Sequence, residues 1–206
     1  MANDTRGFHP SAEVFLDTEY TNLDLEWAQL WNIGMITRYP DGTLTADEII
    51  ITGVNLTYAD PKALEIGHYW ERHPDVGGDP GPGVTTIPSE HLAAQWVLAH
   101  IKPQIEDGTA VPVHLVGCNP IGDVTLLRDL LRHNHLPWPA NYHVICAESM
   151  AIGALRTRGV DVPLPFSASW LSDQLGVERG DPHQIHTALY DAGWAMALHD
   201  AASKPM

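Results

Sequence analysis

The stretch EVFLDTEYTNLDLEWAQLWNIGMI, residues 13–36, sets the hardest constraint in this chain. Val14, Phe15 and Leu16 read as a buried strand, yet that strand runs straight into Asp17 and Glu19. Strand side chains alternate between faces, so the two carboxylates point to the same side. Like charges there repel, and burial penalises each. Either both remain in water at a strand end, or a positive charge sits between them.

The remaining sequence supplies a sheet for that strand. Residues 13–19 form its first strand and residues 30–39 a second. PDGT at 40–43 is a turn signal, and LTADEIIITGVNL carries a third strand, giving an antiparallel meander. GGDPGPG at 77–83 reads as a mobile connector; no GKS or GKT follows to make it a phosphate loop. A helix starts at Ser89, with Leu92, Trp96 and Ala99 at helical spacing. VPVHLVGC at 111–118 is a buried strand. DVTLLRDLLRHN at 123–134 is a helix with Leu126, Leu127, Leu130 and Leu131 inward and Arg128 and Arg132 outward. YHVICA at 142–147 is a further strand, and a helix closed by Gly159 follows it. A short helix at 167–177 and a last helix ending near Ala202 complete the set. Three antiparallel strands followed by alternating strands and helices predict an α/β fold with a mixed sheet flanked by helices. A single domain is expected over 13–202, with tails at 1–12 and 203–206.

The balance of 44% hydrophobic and 18% charged residues over 206 is that of a globular domain with a full core. No apolar run reaches the length of a membrane span, and the polar opening MANDTRGFHPS is no signal peptide. Cys118 and Cys146 show neither CxxC nor zinc-type spacing, so a reduced, cytoplasmic setting is expected. The formal charge of −15 argues against gripping long nucleic acid by counterion release. It leaves a small metal-charged site open, because divalent ions reverse the local sign where acids cluster.

Asp123, in CNPIGD, falls where a strand hands over to a helix, a usual position for active-site groups in α/β folds. His186 and Asp191 fall in HTALYDAGWAMAL. Taken singly, Asp17 and Glu19 suit a solvated strand end, Asp123 a helix cap, and His186 an ordinary helix histidine. HNH at 133–135 spells the name of a nuclease class, but it falls at a helix end without that class's strand pair.

Together the segments resemble the DEDDh 3′–5′ exonucleases, the DnaQ-like branch of the ribonuclease-H-like superfamily. DTEYTNL matches the first motif at Asp17, Glu19, Thr21 and Leu23; CNPIGD the second at Asn119 and Asp123; HTALYDA the third at His186 and Asp191. The three occur in the family's order and cover nearly the whole chain. Asn22 stands where glycine is usual and is a residue that tolerates positive φ. Gly122 stands in place of a phenylalanine, and Cys118 in place of a histidine.

The resemblance implies a ribonuclease-H-like fold and release of nucleoside monophosphates from the 3′ end of single-stranded DNA or RNA. Asp17, Glu19, Asp123 and Asp191 would hold two divalent cations, Mg²⁺ or Mn²⁺, with His186 as general base. Tyr20, Thr21, Leu23 and Asn119 would meet the substrate, and Arg128, Arg132, Arg156, Arg158 and Arg179 are candidates for phosphate contact. The chain ends within about a dozen residues of the third motif, which suggests a free-standing enzyme. A homodimer, a polymerase-bound proofreader and a non-catalytic nucleic-acid-binding member of the fold are the alternatives. GDPHQ at 180–184 looks like a helix start. A regular helix from Pro182 would point His186 and Asp191 apart at about 100° per residue. A shared site therefore requires a break, with 181–186 as a separate piece and the long helix starting near Thr187.

Overall fold

A computed structural model describes residues 11–106, 108–178 and 185–204. Its first strand, β1 (Ala12–Tyr20), is the one the sequence places at 13–19. Val14, Phe15 and Leu16 are fully buried in it. β2 (Leu30–Arg38) and β3 (Leu44–Ile51) follow as antiparallel neighbours. The PDGT turn joins them, with Gly42 at φ 86°.

The segment after β3 is more ordered than its composition suggests. It contains α1 (Pro61–Ile66), α2 (Tyr69–Arg72) and the edge strand β4 (Thr85–Ile87), which pairs parallel to β3. The glycine-rich loop at 77–83 is irregular as expected, but it is tied down rather than a free connector. Gly78 N–H donates to His73 O, Asp79 N–H to Glu71 O, and Arg72 to Pro80 O. Helix α3 (Glu90–Ile101) is capped by Ser89, as the sequence indicates.

A small hairpin of β5 (Gln104–Glu106) and β6 (Thr109–Val111) comes next, unforeseen in the sequence. It ends at Pro112, so the strand expected at 111–118 shortens to β7 (Val113–Gly117), parallel to β1. Helix α4 (Ile121–His133) starts two residues earlier than expected, so Asp123 lies inside its first turn and is not its cap. The strand expected at 142–147 shrinks to β8 (Ile145–Cys146). There the Asn141 side chain accepts from His143 N–H, a turn that keeps the preceding residues out of the ladder. Helices α5 (Ala147–Thr157), α6 (Ala168–Leu175) and α7 (Ala188–Ser203) complete the described chain.

The sheet order is β4-β3-β2-β1-β7-β8. One face carries α3 and α4 on a core that includes Leu16, Leu115 and Leu127. The other carries α5, α6 and α7 on a core that includes Phe15, Ala192 and Leu198. Phe15, Asp17 and Glu19 share a face by strand alternation, so the carboxylates follow Phe15 toward α7.

The register explains where α7 can lie. Asp17 stands opposite Gly34 and Glu19 opposite Asn32. A Cβ on Gly34 would sit 2.2 Å from Leu189 N and 2.3 Å from Ala188 C, so the helix backbone rests directly on β2 there. Asn32 Oδ1 accepts from Ala188 N–H at 3.2 Å. The two residues that face the acids across the ladder thus pin the start of α7 above them. Gly34→Ala is expected to destabilise the fold by about 3 kcal/mol, the upper end for overpacking a core, because the clash is with backbone. Urea unfolding monitored by circular dichroism measures it, and an unchanged midpoint contradicts the seating described.

Candidate active site

Four carboxylates converge at one end of the sheet. Asp17 and Glu19 come from β1, Asp123 from the first turn of α4 and Asp191 from the first turn of α7. All four line one cleft of about 260 Å³, together with His186, Tyr20, Leu23 and Asn119. Each reaches the cleft for a local reason. Asp17 and Glu19 follow the strand pleat. Asp123 is held by Thr18, whose N–H and Oγ1–H donate to its Oδ1 at 3.0 and 2.7 Å. Asp191 is carried in by α7, whose first turn is pinned on β2.

The break ahead of Asp191 is present. Ile185 and His186 form a turn with His186 at φ 65°, Thr187 is extended, and the helix begins at Ala188. Residues 181–184, where the helix-start signal lies, are outside the described residues. His186 N–H donates to Asp191 Oδ2 at 3.1 Å, and its Nδ1 lies 3.8 Å from the same oxygen. One ligand atom from each of Glu19, His186 and Asp191 lies within 4.8 Å of the others. The His186 side chain is 54% exposed at the mouth, whereas that of Asp191 is 13% exposed.

The electrostatics are those of a buried acid cluster. Burial, then repulsion from Asp123, Glu19 and Asp191, pushes the Asp17 carboxyl well above its usual range. Glu19 is raised by burial and by Asp191 and Asp123, against a lowering pull from Arg72. Burial lifts Asp123 to about 6 despite the two bonds from Thr18. Asp191 is raised by burial, with His186 opposing. Asp191 Oδ1 is buried and has no hydrogen-bond partner among the described residues. A divalent cation among these oxygens would offset the repulsion and satisfy that atom. Carboxylate oxygens of this kind suit a hard divalent cation.

Other expected substrate contacts divide. Leu23 is 53% exposed beside the cleft. Asn119 lies in the β7–α4 turn at φ 50°. Thr21 is turned away: it is 1% exposed, and its Oγ1 accepts from Gln29 N–H. Asn22 does not take positive φ. It holds the turn through its side chain, Oδ1 accepting from Asp24 N–H and Nδ2 donating to Tyr58 O. The room over Gly122 is already taken, since a Cβ there would be 3.3 Å from the Tyr20 hydroxyl and 3.7 Å from Leu25 Cδ2. None of Arg128, Arg132, Arg156 and Arg158 lines the cleft. Arg132 pairs with Asp129, and Arg128 lies over Trp138. Arg179 is outside the described residues. Cys118 lines the cleft, its thiol pushed up by burial and the nearby Glu148 and Asp17.

Several supporting residues escaped the sequence reading. Arg72 donates to Glu48 Oε1 and Asn32 Oδ1, both at 2.8 Å, while Asn32 Nδ2 donates to Glu48 and to Ile49 O. This buried network holds Asn32, and Arg72 supplies the positive charge nearest Glu19. Gly67 presses on Glu19, whose Oε2 lies 2.6 Å from where a Cβ would stand. Next to it, His68 Nε2 meets Ile185 O at 3.0 Å. A polar Asn32 and a Gly34 inside the otherwise apolar LWNIGMI were the available signal, because glycine within a strand marks close backbone approach. Nothing in the sequence flags His68 or Arg72, which lie in a segment without clear periodicity.

No protein-family model matches this sequence, and no curated protein does. The fold does have relatives among solved structures. Escherichia coli exonuclease I in complex with a 5cy-dA13 oligonucleotide superposes with a TM-score of 0.64 at 15% identity, over 93% of this chain and 40% of that one. The zinc-ion-bound form of the same exonuclease with single-stranded DNA gives 0.66 at 16%, over 92% and 40%. A product-bound exonuclease I gives 0.66 at 15%, over 94% and 43%. This chain thus spans about two-fifths of the length of those proteins, and what it shares with them is the ribonuclease-H-like fold.

Proposed function

We propose that this protein is a metal-dependent 3′–5′ exonuclease acting on single-stranded nucleic acid. The observation that carries the reading is the meeting of Asp17, Glu19, Asp123 and Asp191 in one cleft, with a buried Asp191 oxygen unbonded among the described residues and His186 at the mouth. The likeness in fold to exonuclease I, solved with single-stranded DNA, supports the nuclease class.

Asp17, Glu19, Asp123 and Asp191 are the residues that would hold two divalent cations, Mg²⁺ or Mn²⁺, which would supply positive charge to the reacting oxygens of an in-line displacement. Water attacks the terminal phosphodiester, the bond from phosphorus to the 3′ oxygen breaks, and a nucleoside monophosphate leaves. His186 is positioned at the solvent side to take the proton from that water. Leu23 and Tyr20 offer apolar surface to the terminal bases, a contact that tolerates any base.

Labelled single-stranded DNA and RNA oligomers, incubated with Mg²⁺, with Mn²⁺ and with EDTA, test the proposal. Stepwise shortening from the 3′ end that stops in EDTA supports it. Binding without cleavage under all three conditions would leave a non-catalytic nucleic-acid-binding protein.

His68 bears on the same site. The peptide between Ile185 and His186 is gripped at both ends, its carbonyl by His68 and its N–H by Asp191. That grip sets the direction in which the His186 ring leaves the turn. His68→Ala is expected to lower kcat about 10–100-fold, the scale of a misplaced reacting group, with KM nearly unchanged. His68→Gln, whose amide reaches the same carbonyl, should recover part of the loss. Equal losses in both variants, or a change confined to KM, contradict the role.

A further inference from the structure

Beyond Leu23 the chain builds a feature that the acid cluster does not use. Trp27 and Tyr58 are 47% and 59% exposed. Their ring centroids are 4.7 Å apart with the planes tilted by 43°. Single exposed aromatics are ordinary, but this pair is mounted on a stapled frame. Asp24 Oδ1 accepts from Glu26 N–H, Asp24 O from Trp27 N–H, and Gln29 Oε1 from Asn55 N–H. Asn22, one residue before Leu23, donates to Tyr58 O. The loop leaving the cleft is therefore fastened to the segment that carries Tyr58.

Beside the pair lies a groove of about 380 Å³. Leu25, Leu30, Leu126 and Leu130 line it, and the exposed Glu26 and Glu90 are also at its walls. It adjoins the cleft: Leu25, which lines the groove, packs over Gly122, which lines the cleft wall.

Resting on the exonuclease reading, we infer that the Trp27–Tyr58 pair and its groove are a stacking subsite for bases of the single strand leading into the cleft. Glu26 and Glu90 make the subsite select against duplex. The charge inventory supports this occupant. The chain carries a formal charge of −15. Arg38, Arg72 and Arg132 are engaged in ion pairs, and Arg128 covers Trp138. Little affinity is then available from counterion release. Base–aromatic stacking, about 1–3 kcal/mol per base, needs no cation. A single strand can turn its bases onto Trp27 and Tyr58 while its phosphates face water. A duplex keeps its bases stacked inside and brings two rows of phosphates toward Glu26 and Glu90.

The test separates binding from turnover. Binding of labelled decathymidylate in EDTA is measured by anisotropy, and turnover of dithymidylate is measured with Mg²⁺. Trp27→Ala and Tyr58→Ala should each weaken decathymidylate binding about tenfold or more. Trp27→Phe should retain most of it, and dithymidylate turnover should stay at the wild-type level in all three. The double variant Glu26→Gln, Glu90→Gln should bind a blunt duplex several-fold better than wild type. Unchanged decathymidylate binding in Trp27→Ala and Tyr58→Ala overturns the subsite, whatever the turnover. Wild-type protein that binds decathymidylate through Trp27 but shortens neither decathymidylate nor dithymidylate with Mg²⁺ or Mn²⁺ keeps the subsite and overturns the exonuclease reading instead.

Discussion

Asp17→Asn is expected to abolish metal-dependent turnover, by about 10³-fold or more, and to make the metal-free protein harder to unfold. Both effects have one cause. Asp17 is the residue whose carboxyl is raised by burial and by all three neighbouring acids. Ionised, it is opposed by its burial and by those three acids, so it destabilises the metal-free fold. Asparagine keeps the shape and removes the charge. Activity and the denaturation midpoint in EDTA at pH 8 should therefore move in opposite directions. A variant that is inactive and also less stable in EDTA contradicts this account of the cluster.

The sign of the pH dependence follows from the same groups. A carboxyl whose folded pKa is raised binds more protons folded than unfolded in the interval between the two values. Stability from these groups is therefore fully present below the unfolded value and lost as pH rises through the folded one. For Asp123 the interval runs from 3.8 to about 6, on the order of 3 kcal/mol. Asp17 and Glu19 extend it upward. The metal-free protein should lose stability from this cluster as pH rises from about 4 to 7. Asp200, lowered by its bonds to Arg38 and His199, acts in the opposite sense. Melting with Mg²⁺ minus melting in EDTA, followed across pH, cancels such distant groups and leaves the cluster. A difference that does not grow with pH contradicts the arrangement.

What was legible in the sequence, and what was not, divides along physical lines. β1, β2 and α4 announce themselves by apolar periodicity, and each falls within a few residues of its expected bounds. The meeting of Asp17, Glu19, Asp123 and Asp191 in one cleft was findable because strand alternation and a strand-to-helix junction place such carboxylates together. The break before α7 was findable because an unbroken helix would separate His186 from Asp191. The corner formed by α1 and α2 was not. Those helices are six and four residues long. Such lengths are too short to show a period, and their order comes from packing on Trp31 and Ile50. Arg72, Gly67 and His68 all lie in that corner, so the residues that steady Glu19 and the His186 turn stayed hidden with it. Thr21 lies buried behind the cleft for a related reason. Motif position fixes the backbone path, but its hydroxyl is taken by Gln29 N–H.

His186→Ala is the other large effect expected. Removing a general base lowers kcat by roughly 10²–10⁴-fold. Metal binding should be nearly unchanged, because the four carboxylates remain. The local structure also predicts survival of the fold. The backbone N–H of His186, not its ring, bonds to Asp191, and the side chain is 54% exposed. Alanine preserves that N–H. The strain of φ 65° is carried by any residue with a Cβ and is slightly worse without the polar side chain. A glycine variant would relieve it, so His186→Gly and His186→Ala should be compared. If loss of the ring alone matters, both are equally slow and both unfold at or near the wild-type midpoint. A His186→Ala enzyme with full activity across the pH range would remove the general base from the mechanism. The resemblance to the DEDDh exonucleases would then fail at its defining residue.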